Sequence, residues 1–250
     1  MVNSAGRRIR WLAVVLVVGL AGCGYGSGAD DVEIRASSPY ALDGCVRHDE
    51  GQLLNLPNAD GPPTRGVVLG DAPRAVVFSP TIDGNVCQWL NYGESLVANG
   101  YLVALYDYNR KTPDDHQLAG IVATVRERGA RAVMLVGAGD GAYASLVGAA
   151  KILPTVNGVV ALSPPQRLAG QPPVEPHIRT LQMPLLFACA LNDPNNAATA
   201  VRKYEEMAPS TDKQVVIVTG RSYGETLLSG AEGDKVGTAL TTFLDTRTQR

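Results

Sequence analysis

The stretch Gly137-Ala138-Gly139-Asp140-Gly141 carries the first chemistry legible in the chain. Its spacing is that of G-x-S-x-G, a strand-to-helix bend that holds a serine hydroxyl out for nucleophilic attack. Gly139 stands in the serine's place, so the scaffold of a nucleophile is present without the nucleophile. Glycine suits such a bend in its own right, because it accepts strained backbone angles at no steric cost. Read one residue later, Ala138-Gly139-Asp140-Gly141-Ala142 puts Asp140 at the bend, where its carboxylate is an alternative nucleophile. Bases are scarce. The histidines are His48, His116 and His177; the first two read as solvated, and His177 falls in a proline-rich segment from which it could fold over the bend. Ser145 lies too far along the following helix to attack anything, and Ser163 follows a neighbouring strand with no base in view.

The bend and its flanks resemble the nucleophile elbow of the α/β-hydrolase superfamily, in particular esterases and dienelactone-hydrolase-like proteins. The resemblance covers roughly residue 51 to the C-terminus and is carried more by the order of elements than by catalytic residues. It implies an α/β-hydrolase fold, with a mostly parallel central sheet, helices on both faces and a short cap. It also implies an acid after a later strand and a histidine after the last one. Leu185 to Ala190 runs into Leu191-Asn192-Asp193-Pro194, similar to the acid-bearing loop, which gives Asp193 the acid's position. Gly220-Arg221-Ser222-Tyr223-Gly224 is similar to Gly-x-x-His-Gly, with Tyr223 in the histidine's place. Tyrosine, with a reference pKa of about 10, is a poor general base at neutral pH. Ser79-Pro80 stands where many relatives carry His-Gly, and Asp107 and Arg110 are similar to an Asp-x-Arg-Gly loop spaced one residue wider. The triad positions therefore read Gly139, Asp193 and Tyr223, with nucleophile and base both replaced. In a serine protease the loss of either costs about a million-fold in turnover. The Asp140 reading, of the kind dehalogenase-like relatives use, still lacks the histidine. Asp193, with no histidine to orient, could equally cap the helix that starts near Asn196.

The elements that must position these residues can be read from periodicity. Ala132 to Val136 has no polar residue and suits a parallel strand covered on both faces. Ala142, Ala144, Leu146, Val147 and Ala150 recur at helical spacing after the bend. Upstream, Gly51–Leu56 and Arg65–Leu69 form a hairpin about the turn signal Asp60-Gly61-Pro62-Pro63. Arg74–Pro80 and Tyr101–Tyr106 are buried strands, separated by a helix through Trp89, Leu90, Leu96 and Val97 that ends at Asn99-Gly100. Asp115–Arg128 is a helix with Leu118, Ile121, Val122 and Val125 on one face. Val159–Leu162, Leu185–Ala190 and Gln214–Thr219 complete the strands, and Asn196–Met207 and Val236–Leu244 the helices. The alternation implies a parallel sheet with right-handed crossovers. Ser163 to Pro184 holds six prolines and is not a regular helix throughout; it is the short cap.

At the N-terminus, Arg7, Arg8 and Arg10 precede an apolar run, Trp11 to Leu20, closed by Leu20-Ala21-Gly22-Cys23. A positively flanked apolar core this short is a secretion signal rather than a membrane span. The Leu-Ala-Gly-Cys ending resembles the bacterial lipobox, which implies lipid on Cys23 and anchorage outside the cytoplasm, in the cell envelope. The division expected is a signal peptide over 1–22, a lipidated, flexible lead-in over 23–47 and one α/β-hydrolase-fold domain over 48–250. An exported compartment permits disulfides, and Cys45 with Cys87 is the pair expected, Cys189 being a buried strand thiol.

With 250 residues, 45% of them hydrophobic, and a formal charge of −2, the chain suits one α/β domain and offers no basic surface for nucleic acid. No cysteine or histidine spacing suggests a metal, and no cofactor is expected. The expected function is a lipid-anchored, catalytically degenerate hydrolase-fold protein that binds a small apolar or ester-like ligand, or a partner, in the old cleft. The alternative is an active hydrolase of small esters or acyl groups that uses a non-standard nucleophile, Asp140, or an unorthodox base.

Overall fold

The computed structural model describes residues 40–58, 61–108 and 115–248; Cys23, the signal segment and Arg110 lie outside them. In chain order the elements are β1 (Tyr40–Leu42), β2 (Val46–Arg47), β3 (Gln52–Leu56), β4 (Thr64–Leu69) and β5 (Arg74–Ser79). Then come α1 (Cys87–Ala98), β6 (Leu102–Tyr106), α2 (Asp115–Glu127), β7 (Ala132–Ala138), α3 (Asp140–Lys151) and β8 (Gly158–Leu162). The chain closes with α4 (Glu175–Ile178), β9 (Leu185–Ala190), α5 (Ala197–Met207), β10 (Lys213–Val218) and α6 (Gly233–Thr248).

β3 to β10 form one eight-stranded sheet in the order β10-β9-β8-β7-β5-β6-β4-β3. The hairpin β3–β4 and the β4–β6 pair are antiparallel, and the remaining pairs are parallel. Residues alternate between the two faces with period two. Val77, Leu135 and Phe187 meet Leu118, Ile121, Leu146, Val201 and Tyr204 on the face carrying α2, α3 and α5. Phe78, Val136 and Leu186 meet Trp89, Leu96, Leu240 and Phe243 on the face carrying α1 and α6. The expected parallel sheet with helices on both faces is thus what the chain forms.

The strand order also fixes where a site can lie. After β5 the chain adds β6 on one side through α1, then returns through α2 to lay β7 on the other side of β5. Strand ends diverge at such a switch point and leave a crevice at their carboxyl edge. The loop after β5 and the bend after β7 face each other across it.

Two features exceed the sequence reading. The unassigned lead-in contains the β1–β2 hairpin, whose Leu42 and Val46 are buried in the α1/α6 layer. Cys45 within it is bonded to Cys87 at the start of α1, with Cα atoms 5.8 Å apart. Beside this bond, Arg65 Nη2 lies 3.0 Å from Asp43 Oδ1 and 3.3 Å from Asp107 Oδ2, and Asp107 Oδ1 accepts the Val86 N–H at 2.8 Å. Burial, and then the neighbouring Asp43 carboxyl, raise the Asp107 pKa from 3.8 to about 7, against the pull of Val86 and Arg65. The Asp43–Arg65–Asp107 group locks the hairpin to the sheet.

Candidate functional site

β7 runs straight into α3 through one residue, Gly139, at φ 55° and ψ −118°. That combination is open to glycine and strained for anything larger. The next glycine is required by proximity: a Cβ at Gly141 would lie 2.7 Å from the Ser79 carbonyl carbon on the facing loop. The bend therefore has the geometry of a nucleophile elbow with Gly139 at its apex. Asp140 is already the first helical residue, so the register that puts Asp140 at the apex is not the one adopted.

The space that a side chain at the apex would fill is occupied. A Cβ on Gly139 would overlap the Tyr223 hydroxyl and lie 2.8 Å from its Cζ. Tyr223 is held in that place from both ends. Its N–H donates to Thr226 Oγ1 at 3.0 Å, and Thr226 Oγ1 donates back to the Tyr223 carbonyl at 2.7 Å, closing the first turn of a 3-10 segment, Gly224–Leu228. The next N–H, of Gly224, donates to Ser163 Oγ at 3.0 Å. Ser163 is fully buried and itself sits at φ 47°. Sequence reasoning set Ser163 aside because no base is near; its role is to anchor the Tyr223 loop. The signal was its place directly after β8 and before Pro164.

The phenol is a proton donor at any ordinary pH. Burial first, then the carboxylates of Asp140 and Asp193, push its pKa up to about 12, while a hydrogen bond with Asn195 pulls the other way. Asp193, 5% exposed, follows β9 as the acid loop requires. Its Oδ1 accepts the Asn195 N–H at 2.8 Å, and its Oδ2 is buried with no hydrogen-bond partner. Asp193 closes the turn ahead of α5, whereas the residue at the N-cap of α5 is Asn196, in a left-handed conformation and making no side-chain cap. The proposed capping role is thus a turn-closing one.

The loop opposite, after β5, is where backbone N–H groups would receive an oxyanion. Here the Thr81 N–H donates to Gln88 Oε1 at 2.9 Å and the Ile82 N–H to Asp140 Oδ2 at 3.2 Å. Asp140 thus places its own carboxylate on a donor of that loop. Burial raises its pKa, Asp83 adds to the rise, and the Ile82 N–H opposes it. Behind the loop, Ser145 Oγ donates to Ser79 Oγ at 3.3 Å, and Ser79 Oγ lies 2.9 Å from Tyr106 Oη, so both serines are spent on a buried hydroxyl chain.

What remains is a cleft of about 330 Å³ lined by Asp140, Pro165, Gln166, Arg167, Asn195 and Tyr223. His177 is not among its walls; it lines a separate recess of about 90 Å³ with Tyr143 and Lys151. His48 and His116 are exposed on other surfaces. The cap contains only α4 and is fastened down: Tyr204 Oη donates to the Pro165 carbonyl at 2.8 Å, Tyr143 Oη to that of Pro172 at 3.0 Å, and Lys203 pairs with Glu175 at 2.6 Å. Cys189 is buried in β9, its thiol pushed up to about 12 by burial and by Asp193. No cluster of metal-ligating residues exists among the described residues, and no described helix is long and apolar enough to cross a membrane.

No protein-family model and no curated protein matches the chain by sequence. Solved structures match by fold. An esterase of Pyrococcus furiosus superposes with a TM-score of 0.70 at 13% identity, over 80% of this chain and 92% of that one. A monoacylglycerol lipase of Paleococcus ferrophilus gives 0.63 at 14%, over 74% and 99%, and a dienelactone hydrolase of Anabaena variabilis 0.63 at 17%, over 80% and 100%. At such identities shape is what is shared, and sheet order, elbow and flanking helices agree on it: the chain has the α/β-hydrolase fold.

Proposed function

We propose that this is a lipid-anchored, cell-envelope protein that has kept the hydrolase scaffold without its catalysis and acts by binding a ligand in the former active-site cleft. One observation carries the reading: the Tyr223 phenol fills the volume into which a nucleophile on the elbow would project. The two replacements fit each other, since glycine makes room for the ring and the ring occupies the vacated space. A neutral phenol with its pKa pushed up to about 12 takes no proton from a nucleophile. Asp140 answering the Ile82 N–H leaves the oxyanion loop occupied from within. Anchorage is supported by the Leu20-Ala21-Gly22-Cys23 ending alone.

The test is hydrolysis of a short-chain chromogenic ester by the full chain, with Gly139→Ser, Tyr223→His and the double variant alongside. The natural chain and both single variants are expected to be inert. Gly139→Ser alone meets the ring and is destabilised by about 2–4 kcal/mol, from strain at positive φ plus overpacking. Adding Tyr223→His relieves that clash, restores most of the stability and yields measurable turnover. Turnover by the natural chain that disappears in Asp140→Asn would overturn the reading in favour of an aspartate nucleophile.

A further inference from the structure

We infer that the cleft takes a neutral, hydroxyl-rich ligand, a mono- or disaccharide, rather than a lipid or an acid. The inference rests on the binding reading above and gives it a ligand class. Five of the six lining side chains end in polar groups: the Asp140 carboxylate, the Gln166 and Asn195 amides, the Arg167 guanidinium and the Tyr223 phenol. Pro165 is the one apolar wall, too little surface to hold an acyl chain.

Charge narrows the choice further. Asp140 lines the cleft, so an anionic ligand meets its carboxylate there. Arg167 is exposed and adds one positive charge to the same lining. With one charge of each sign, the lining gives neither an acid nor an ammonium a net pull.

A ligand matched to this lining must donate to Asp140 and to the amide oxygens, and accept from the phenol, the amide nitrogens and the guanidinium. Vicinal hydroxyls do both at each carbon. The Tyr223 ring and Pro165 give the apolar faces of a sugar ring something to rest on. About 330 Å³ stands at the small end of ligand pockets, which sets the size at one or two rings.

The experiment is binding of glucose, N-acetylglucosamine, maltose, cellobiose and trehalose to the full chain in a sugar-free zwitterionic detergent, read by saturation-transfer NMR and calorimetry. Hexanoate and hexylammonium serve as acid and cation arms. At least one neutral sugar is expected to bind saturably with a Kd of order 1 mM. Asn195→Ala and Gln166→Ala are each expected to weaken it at least about fivefold, Gln166→Ala with unchanged melting temperature because that residue is exposed. Absence of saturable sugar binding, stronger binding of hexanoate or hexylammonium, or sugar binding indifferent to both substitutions overturns the assignment. Ester turnover by the natural chain instead sinks the binding reading on which it rests, so the two failures are distinguishable.

Discussion

The interior of the sheet and its carboxyl edge are built from the same chain under opposite rules. Inside, β5 to β9 bury apolar side chains on both faces. At the edge, within a few residues of those strand ends, Gly139, Ser163 and Asn196 adopt positive φ, and Asp193 keeps a buried oxygen without a partner. Strain and unpaired polar groups of this kind collect where a scaffold once served, or still serves, a ligand. The interior states how the chain folds; the edge states what the fold was shaped to hold.

Breaking the interior should cost most. Phe187 is fully buried against Tyr204, 6.4 Å between ring centroids, and Phe187→Ala should lose about 3–5 kcal/mol in urea unfolding. The elbow pair comes next, Gly139→Ser losing about 2–4 kcal/mol and Tyr223→His restoring it, a coupling that a double-mutant cycle reads directly. Ser163→Ala, which strands the Gly224 N–H, should cost about 1–3 kcal/mol and loosen the Tyr223 loop, seen as faster amide exchange over 223–228. The last prediction concerns pH and is of a different kind. Asp107 holds its proton more tightly folded than unfolded, so stability should be greatest below 3.8 and decline as pH rises toward about 7. Denaturation midpoints across that range should flatten in Asp107→Asn. If edge substitutions cost as much as Phe187→Ala, the division between the two regions is wrong.

The interior was also the part legible in the sequence. Runs such as Ala132–Val136 and Leu185–Ala190 have one reading, and their alternation with helices leaves few topologies. Strand ends moved by a residue or so; the β1–β2 hairpin escaped because strands of three and two residues carry no period. At the edge, the resemblance to family motifs pointed to Gly139, Asp193 and Tyr223, but not to their relation. That the ring of Tyr223 lies where a side chain on Gly139 would go is a fact of close approach between distant segments. Ser163 was missed for a similar reason: a left-handed serine is written in dihedral angles, not in residue type. The polar lining of the cleft likewise comes from the start of α3 and three loops that no local pattern joins.

If the chain is held by its N-terminus, as proposed above, the bond between Cys45 and Cys87 acquires a mechanical meaning. Tension entering from that end reaches Cys45 and passes through the sulfurs into the start of α1. The covalent path skips residues 46–86, which include β3, β4 and β5. Those strands form one edge and part of the middle of the sheet, and a pull along the backbone would otherwise unzip them one after another. With the bond in place the load arrives on a helix packed against the sheet, and the loop facing Gly139 stays slack.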